Sequence, residues 1–205
     1  MVRGKQVSRR LQIGEEKRSR SEWFRTGDIG FWTESGSLQV VGKCHNVFQL
    51  ADGRFVSPEK IETIYSGSPM VKSVYLHGMA NARFAICLAV AEVDEIREEG
   101  KRIGVINEND FTSRQPQKSQ RESTAEELCR NLKVRRMVLS RLNSIGERKG
   151  LETFEMAKSI LLVTEEMTIE NGLLTVGYQL ARDNIRSHYQ KQIDELYAEG
   201  ELMHM

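Results

Sequence analysis

The sequence has few cysteines, few prolines and no long apolar run. Its 205 residues include three cysteines, Cys44, Cys87 and Cys129, and none of them has C-x-x-C spacing. This usage favours reduced thiols in an intracellular protein over a disulfide framework or a zinc site. No apolar segment approaches the ~20 residues that span a bilayer, and the first residues lack the apolar core of a signal peptide. We therefore expect an intracellular protein without a transmembrane segment, either cytoplasmic or peripheral on an organelle membrane.

An excess of charge of one sign is also missing. The 30 basic residues nearly balance the 29 acidic ones, so whole-molecule charge gives no reason to expect a nucleic-acid partner. The basic residues are nevertheless concentrated near the beginning of the chain. We interpret residues 1–21 as a basic, disordered leader, and binding of RNA or anionic lipid is the alternative.

The histidines and serines show no pattern of a catalytic or metal site. His45, His77, His188 and His204 are scattered and have no metal-ligand spacing with cysteine or carboxylate. There is no G-x-S-x-G motif and no glycine-rich phosphate loop. Zinc chemistry and serine hydrolysis are therefore not indicated.

Turn signals in the first third of the chain predict two hairpins. Residues 31–33 and 38–41 flank a four-residue loop that contains glycine. Residues 46–50 and 54–56 are separated by Ala-Asp-Gly, and Asp-Gly is a strong signal for a tight turn.

Helix and strand signals alternate after the second hairpin. Ser57 is a predicted N-cap, Pro58 occupies the first turn, and Glu59 complements the positive end of the helix dipole. Alternating apolar residues at 71–76 predict a half-buried strand, and the apolar run at 83–90 predicts a central one.

The remaining chain completes a mixed pattern. Residues 94–122 are charged and glutamine-rich, and we expect them to form an exposed insertion. Residues 123–127 form a capping box for one long helix with Leu132 on its apolar face. Apolar residues at every fourth position over 185–197 predict a last helix. The tally predicts an α+β fold.

A Thr-Gly-Asp turn at residues 26–28 is the first candidate binding feature. An ionised aspartate such as Asp28 can accept hydrogen bonds from both hydroxyls of a vicinal diol. Gly27 and Gly30 allow a ligand to approach the backbone closely. A turn without a ligand is the alternative interpretation.

Eight motifs follow one another in a fixed order along residues 22–198. They lie at 22–30 (EWFRTGDIG), 36–41, 46–51, 55–65, 126–131, 150–155, 170–175 (ENGLLT) and 192–197. Together they resemble the adenylate-forming ligases, and within these the long-chain fatty-acid–CoA ligases. The resemblance corresponds to about the last third of such an enzyme.

The resemblance implies a domain organisation. Residues 22–44 would be the β-rich tail of a large nucleotide-binding domain, and residues 45–205 the small, mobile C-terminal domain that closes over it as a lid. That small domain has a short mixed or antiparallel sheet with packed helices. His45 aligns with the hinge residue, and a partly exposed loop histidine is the alternative.

The implied reaction is ATP-dependent formation of an acyl-adenylate from a fatty acid, followed by thioester transfer to CoA and release of AMP. ATP, Mg²⁺ and CoA are the implied cofactors. The fatty acid and the nucleotide would bind mainly through the large domain, so we expect no tight ligand and no turnover for these 205 residues alone.

The resemblance also assigns site residues. Asp28 matches the ribose-binding aspartate, and Lys43 stands beside the nucleotide where the family usually has arginine. Asp52 and Gly53 match the hairpin tip that lines the CoA channel, with a plain turn as the alternative. Gln179 occupies the position of the lysine that stabilises the adenylation transition state, and a neutral amide cannot supply its charge.

Departures from the family pattern leave two other hypotheses open. Gly42 replaces the usual aspartate, and together with Lys43 and Gln179 it indicates a degenerate, non-catalytic lid that acts as a binding module. A truncated or mispredicted reading frame is the third hypothesis, because residues 1–21 resemble nothing in the family.

Overall fold

The computed structural model describes residues 25–106 and 118–202. These residues form both strands and helices, in runs and not in strict alternation, which confirms the predicted α+β class. The elements are β1 (Asp28–Trp32), β2 (Leu38–Lys43), β3 (Phe48–Gln49), β4 (Phe55–Val56), α1 (Pro58–Tyr65), β5 (Val71–His77), β6 (Ile86–Ala91), α2 (Val93–Arg102), α3 (Lys118–Arg130), α4 (Leu132–Arg148), β7 (Ser159–Val163), α5 (Arg182–His188) and α6 (Gln190–Glu199).

A three-stranded sheet forms the centre of the fold. Its order is β5-β6-β7, with β6 antiparallel to β5 and parallel to β7. Every residue of β6 is buried, as expected for a central strand. Leu88 and Val90 belong to a cluster with α5 and α6, whereas Cys87 and Ala89 belong to the cluster that contains α1 and α4. The sheet therefore lies between two helical layers.

The strand predicted at residues 71–76 is present as β5, but it is more buried than the alternating pattern indicated. In β5, all residues from Val74 to His77 are buried. Tyr75 packs in the cluster with α5 and α6, and Leu76 packs in the cluster with α1 and α4. Helices thus cover both faces of this strand, which an alternating sequence pattern does not reveal.

Two antiparallel hairpins precede the central sheet, as the turn signals predicted. β1 pairs with β2, and β3 pairs with β4. Helix α1 then begins at Pro58 with Ser57 as N-cap, although the Ser57 side chain makes no capping hydrogen bond.

The long helix predicted after residue 123 is two helices. Helix α3 begins at Lys118, so the predicted capping box lies inside it. Asn131 then interrupts the helix. Its backbone is extended (φ −64°, ψ 122°), and its Oδ1 accepts hydrogen bonds from the backbone N–H groups of Lys133 and Val134. Asn131 is the N-cap of α4, and Leu132, expected on the apolar face, is 43% exposed.

The last predicted helix is also divided. The apolar stripe is buried as expected, but α5 ends at His188 and α6 begins at Gln190, with Tyr189 between them. Helix α2 forms the beginning of the segment 94–122, and Ile96 is fully buried there. Residues 107–117 of that segment and the whole leader at 1–21 lie outside the described residues, so both interpretations stay predictions.

Candidate functional site

The candidate ribose-binding residue Asp28 faces Lys43 across the β1–β2 hairpin. The Cys44 N–H donates to the carbonyl of Gly27 at 2.7 Å, so the neighbouring pair Asp28 and Lys43 is a non-hydrogen-bonded pair. Side chains approach each other closely at such pairs. Lys43 Nζ accordingly forms an ion pair with Asp28 Oδ1.

This ion pair lies at the surface. The Asp28 side chain is 28% exposed and that of Lys43 is 46% exposed. Hydrogen bonding to Lys43 lowers the pKa of Asp28 below its usual value, and Thr26 lowers it further. The carboxylate is therefore charged at neutral pH and can still be reached by a ligand. A hydroxyl ligand would have to share this carboxylate with Lys43.

The turn after β2 carries His45, the predicted hinge residue. The Asn46 N–H donates to the carbonyl of Lys43 at 3.0 Å, which closes the turn, and His45 is exposed. His45 also lines a cavity of about 170 Å³ together with Phe48, Arg182 and other residues. The turn after β2 and the beginning of α5 thus line the same cavity.

The tip of the β3–β4 hairpin is fixed by its own side chains. Gly53 has φ +88°, which favours glycine, and its carbonyl accepts a hydrogen bond from Gln49 Nε2 at 2.9 Å. Arg54 Nε donates to Asp52 Oδ2 at 2.7 Å, and this hydrogen bonding lowers the pKa of Asp52. The Arg54 guanidinium lies 4.4 Å from the ring centre of Phe154. Asp52 is therefore already engaged by Arg54.

Gln179 lies in a tight surface turn. A β-bridge joins Leu174 to Leu180, and the Thr175 N–H donates to the Gln179 carbonyl at 2.8 Å. Tyr178 adopts φ +58°, which is uncommon for a residue other than glycine, and it is 78% exposed. The turn presents the neutral Gln179 side chain on the surface.

A buried ion pair holds the chain just after this turn. Arg182 Nη2 lies 2.5 Å from Glu62 Oε2, and Glu62 Oε1 accepts the backbone N–H of Leu76 at 2.7 Å. The Arg182 guanidinium also lies 5.6 Å from the ring centre of Tyr75. This pair joins α5 to α1 and β5. Sequence reasoning missed it, because partners 120 positions apart leave no local pattern.

Other candidate residues are not brought together. Among the described residues, no hydrogen bond or ion pair joins Gln179 to Asp28 or to the tip at Asp52 and Gly53. A larger cavity of about 460 Å³ lies between α2 and α4, and none of the predicted site residues lines it.

Within residues 25–106 and 118–202, no group of three or more histidine, cysteine or acidic side chains could hold a metal ion. No helix among the described residues is long and apolar enough to cross a bilayer.

Comparison with known proteins tests the resemblance. The chain is 37% identical over 183 residues to mouse long-chain-fatty-acid–CoA ligase 5, which covers 89% of this chain and 24% of that protein. It is 35% identical over 176 residues to human long-chain-fatty-acid–CoA ligase 1, covering 86% of this chain and 23% of the relative. The chain is related to the long-chain fatty-acid–CoA ligases. It spans about a quarter of the length of these relatives. No family model matches it.

Solved structures share the fold. The adenylation domain of a carboxylate reductase from Mycobacterium chelonae aligns with a TM-score of 0.66 at 21% identity, covering 88% of this chain and 24% of that one. A second match is the A-PCP didomain of the carboxylic acid reductase from Segniliparus rugosus in complex with AMP. It aligns with a TM-score of 0.64 at 21% identity and covers 85% of this chain and 20% of that one. These residues therefore share the fold of those two domains, as the motifs predicted.

Proposed function

We propose that this chain is the C-terminal lid portion of a long-chain fatty-acid–CoA ligase, together with the β-rich tail of the large domain. The proposal rests on the sequence match to such ligases, which covers most of this chain and about a quarter of the relatives. The whole reaction would form an acyl-adenylate from ATP and a fatty acid, and then a thioester with CoA.

The β1–β2 hairpin is the structural observation that carries this proposal. Trp32 is 73% exposed, and Leu38 and Val40, which lie on the same face of the hairpin, are each more than half exposed. Phe31 is also more than half exposed, on the opposite face. An isolated two-stranded hairpin is marginally stable in water, and clustered exposed apolar residues mark contact surfaces. These side chains fit a segment that packs against a further domain, as the tail of the large domain would.

The proposed roles come from the family resemblance, and the geometry of the surface is compatible with them. Asp28, charged and accessible, would bind the ribose hydroxyls of ATP and AMP, and Lys43 would lie beside the phosphate. The hydrogen-bonded tip at Asp52 and Gly53 would line the CoA channel. ATP would bring Mg²⁺ with it, and the fatty acid would bind in the large domain. A membrane would be contacted peripherally if at all.

An activity assay of the isolated chain tests whether the reaction requires the large domain. Purified protein is incubated with ATP, Mg²⁺, palmitate and CoA, and palmitoyl-CoA is measured against a full-length ligase such as the mouse relative. We expect no turnover above background, because the acyl and phosphate sites belong to the large domain. Appreciable turnover by the 205 residues would contradict the proposal.

A second candidate function is a non-catalytic lid that has kept its fold and serves as a binding module. Gln179 favours it, because an amide provides no positive charge for the adenylation transition state. Joining the chain to the large domain of an active ligase, with and without the Gln179→Lys substitution, distinguishes the two functions. Activity raised by lysine means that Gln179 limits a lid that is otherwise competent, and no activity with either residue favours the binding module.

A further inference from the structure

The carboxylate of Glu59, in the first turn of α1, reaches the turn that follows β2. Its Oε1 accepts the backbone N–H of Lys43 at 3.4 Å and also accepts a hydrogen bond from Asn46 Nδ2. Asn46 in turn closes the turn by donating its backbone N–H to the Lys43 carbonyl. One carboxylate oxygen therefore holds both ends of the turn at residues 43–46.

The pairing of β1 with β2 explains why this bond is possible. Because Asp28 and Lys43 form a non-hydrogen-bonded pair, the N–H of Lys43 points away from β1. It points instead toward α1, where Glu59 accepts it. The side chain of Lys43 extends to Asp28. Lys43 thus links the helix, through its backbone, to the candidate ribose-binding carboxylate, through its side chain.

Gly42 makes room for this carboxylate. A Cβ at position 42 would lie 2.5 Å from Glu59 Oε2 and 2.7 Å from Ser57 Oγ, distances that require movement. The φ of Gly42 is outside the left-handed region, so glycine is favoured there by packing and not by backbone conformation. Glu59 Oε2 is buried and accepts no hydrogen bond. A buried carboxylate oxygen without a donor is costly, so the contacts of Oε1 have to hold the group in place.

We propose that Glu59 is a positioning residue. By holding the backbone of Lys43 against α1, it fixes where the Lys43 side chain meets the Asp28 carboxylate, and Gly42 is required for this contact. The functional consequence rests on the proposed nucleotide role of Asp28 and Lys43. The alternative is that Glu59 only complements the positive end of the helix dipole, where it would stabilise α1 without acting on the turn.

Amide hydrogen exchange and the titration of Asp28, both measured by NMR on the whole chain, separate these alternatives. The variants are Glu59→Ala, Glu59→Gln and Gly42→Ala. Glu98→Gln is the matched control, since Glu98 is exposed on α2 and forms no ion pair among the described residues. Glutamine is the conservative variant, because its side-chain carbonyl can accept both bonds now made by Oε1.

In Glu59→Ala we expect the exchange rate of the Lys43 amide to rise about tenfold, as loss of a hydrogen bond to a charged group implies. The pKa of Asp28 should move up toward its ordinary value, because Lys43 is no longer held against it. Gly42→Ala should give the same two changes, while Glu59→Gln and Glu98→Gln should give neither. The double variant Gly42→Ala/Glu59→Ala should exchange no faster at Lys43 than Glu59→Ala.

The proposal is overturned if Glu59→Ala and Gly42→Ala lower the thermal midpoint but leave the Lys43 amide and the Asp28 titration unchanged. It is also overturned if Glu59→Gln behaves like Glu59→Ala. If Glu59→Ala does not fold, Gly42→Ala and Glu59→Gln decide between the outcomes. Neither measurement depends on ligase activity, so failure here is distinct from failure of the proposed function.

Discussion

Replacing Arg182 with methionine tests the buried ion pair that joins α5 to α1. The Arg182 side chain is 19% exposed and that of Glu62 only 9%, so solvent screens the pair weakly. Glu62 also accepts the Leu76 N–H, which fixes its carboxylate in the interior. Removing the guanidinium therefore leaves a buried negative charge with one neutral hydrogen bond and no cation.

Loss of one partner of a buried pair costs about 3–5 kcal/mol of unfolding free energy. We expect the Arg182→Met variant to lose that amount in urea unfolding at neutral pH, measured as a lower midpoint with an unchanged slope. The double variant Glu62→Gln/Arg182→Met removes both charges and should recover part of the loss. A loss below about 1 kcal/mol in Arg182→Met would refute the reasoning, because such a value is typical of a surface pair.

The same variant has a defined pH dependence. Burial raises the pKa of Glu62 above its ordinary value, and this effect exceeds the opposing attraction of Arg182. The folded state thus holds this proton more tightly than the unfolded chain, so the contribution of Glu62 is fully present below the ordinary carboxyl pKa and is lost as pH rises through the raised one. Without Arg182 the pKa should rise further. The stability difference between Arg182→Met and the unchanged protein should therefore shrink as the pH is lowered.

Three further predictions concern the fold. Asn131→Ala removes the N-cap of α4 and should cost about 1 kcal/mol in urea unfolding, and Asn131→Asp, which keeps an acceptor, should cost less. Ile96→Ala should cost about 2–5 kcal/mol, because Ile96 is fully buried; a smaller loss would mean that α2 packs loosely. Arg102 and then Arg141 lower the pKa of Glu99 to about 2, so its contribution is present above a pH of about 4.5 and is lost as pH falls toward 2. Glu99→Gln should reduce acid sensitivity in that window, and an unchanged pH profile would contradict the assignment.

Sequence patterns predicted the elements with strong periodicity. The apolar run of β6, the two hairpins and the N-terminus of α1 were all found where the pattern indicated. The divisions at Asn131 and Tyr189 were missed because the apolar spacing continues across them. A polar residue with local hydrogen-bonding ability inside such a pattern is the signal that marks the first division.

The candidate site was predictable to a lesser degree. Ordered motifs identified Asp28, Lys43 and the hairpin tip as candidates, and the structure places Asp28 against Lys43. The contact of Glu59 was not predictable, because a charged residue in a first helical turn is also explained by the helix dipole. That of Glu62 was not predictable, because its partner Arg182 lies 120 positions away in the sequence. Only tertiary structure distinguishes a carboxylate that faces water from one that holds a distant segment.

A chimeric ligase tests the central claim most directly. The matched segment of mouse long-chain-fatty-acid–CoA ligase 5 is replaced by this chain, with either Gln179 or the Gln179→Lys substitution, and the unmodified mouse enzyme serves as the control. Adenylation is measured from ATP and palmitate, and thioester formation is measured separately from preformed palmitoyl-adenylate and CoA. We predict that Gln179→Lys accelerates adenylation by about 10²–10³-fold and leaves thioester formation unchanged. Equal adenylation by both chimeras would contradict the role assigned to position 179, and no thioester formation by either would contradict the assignment of this chain as a ligase lid.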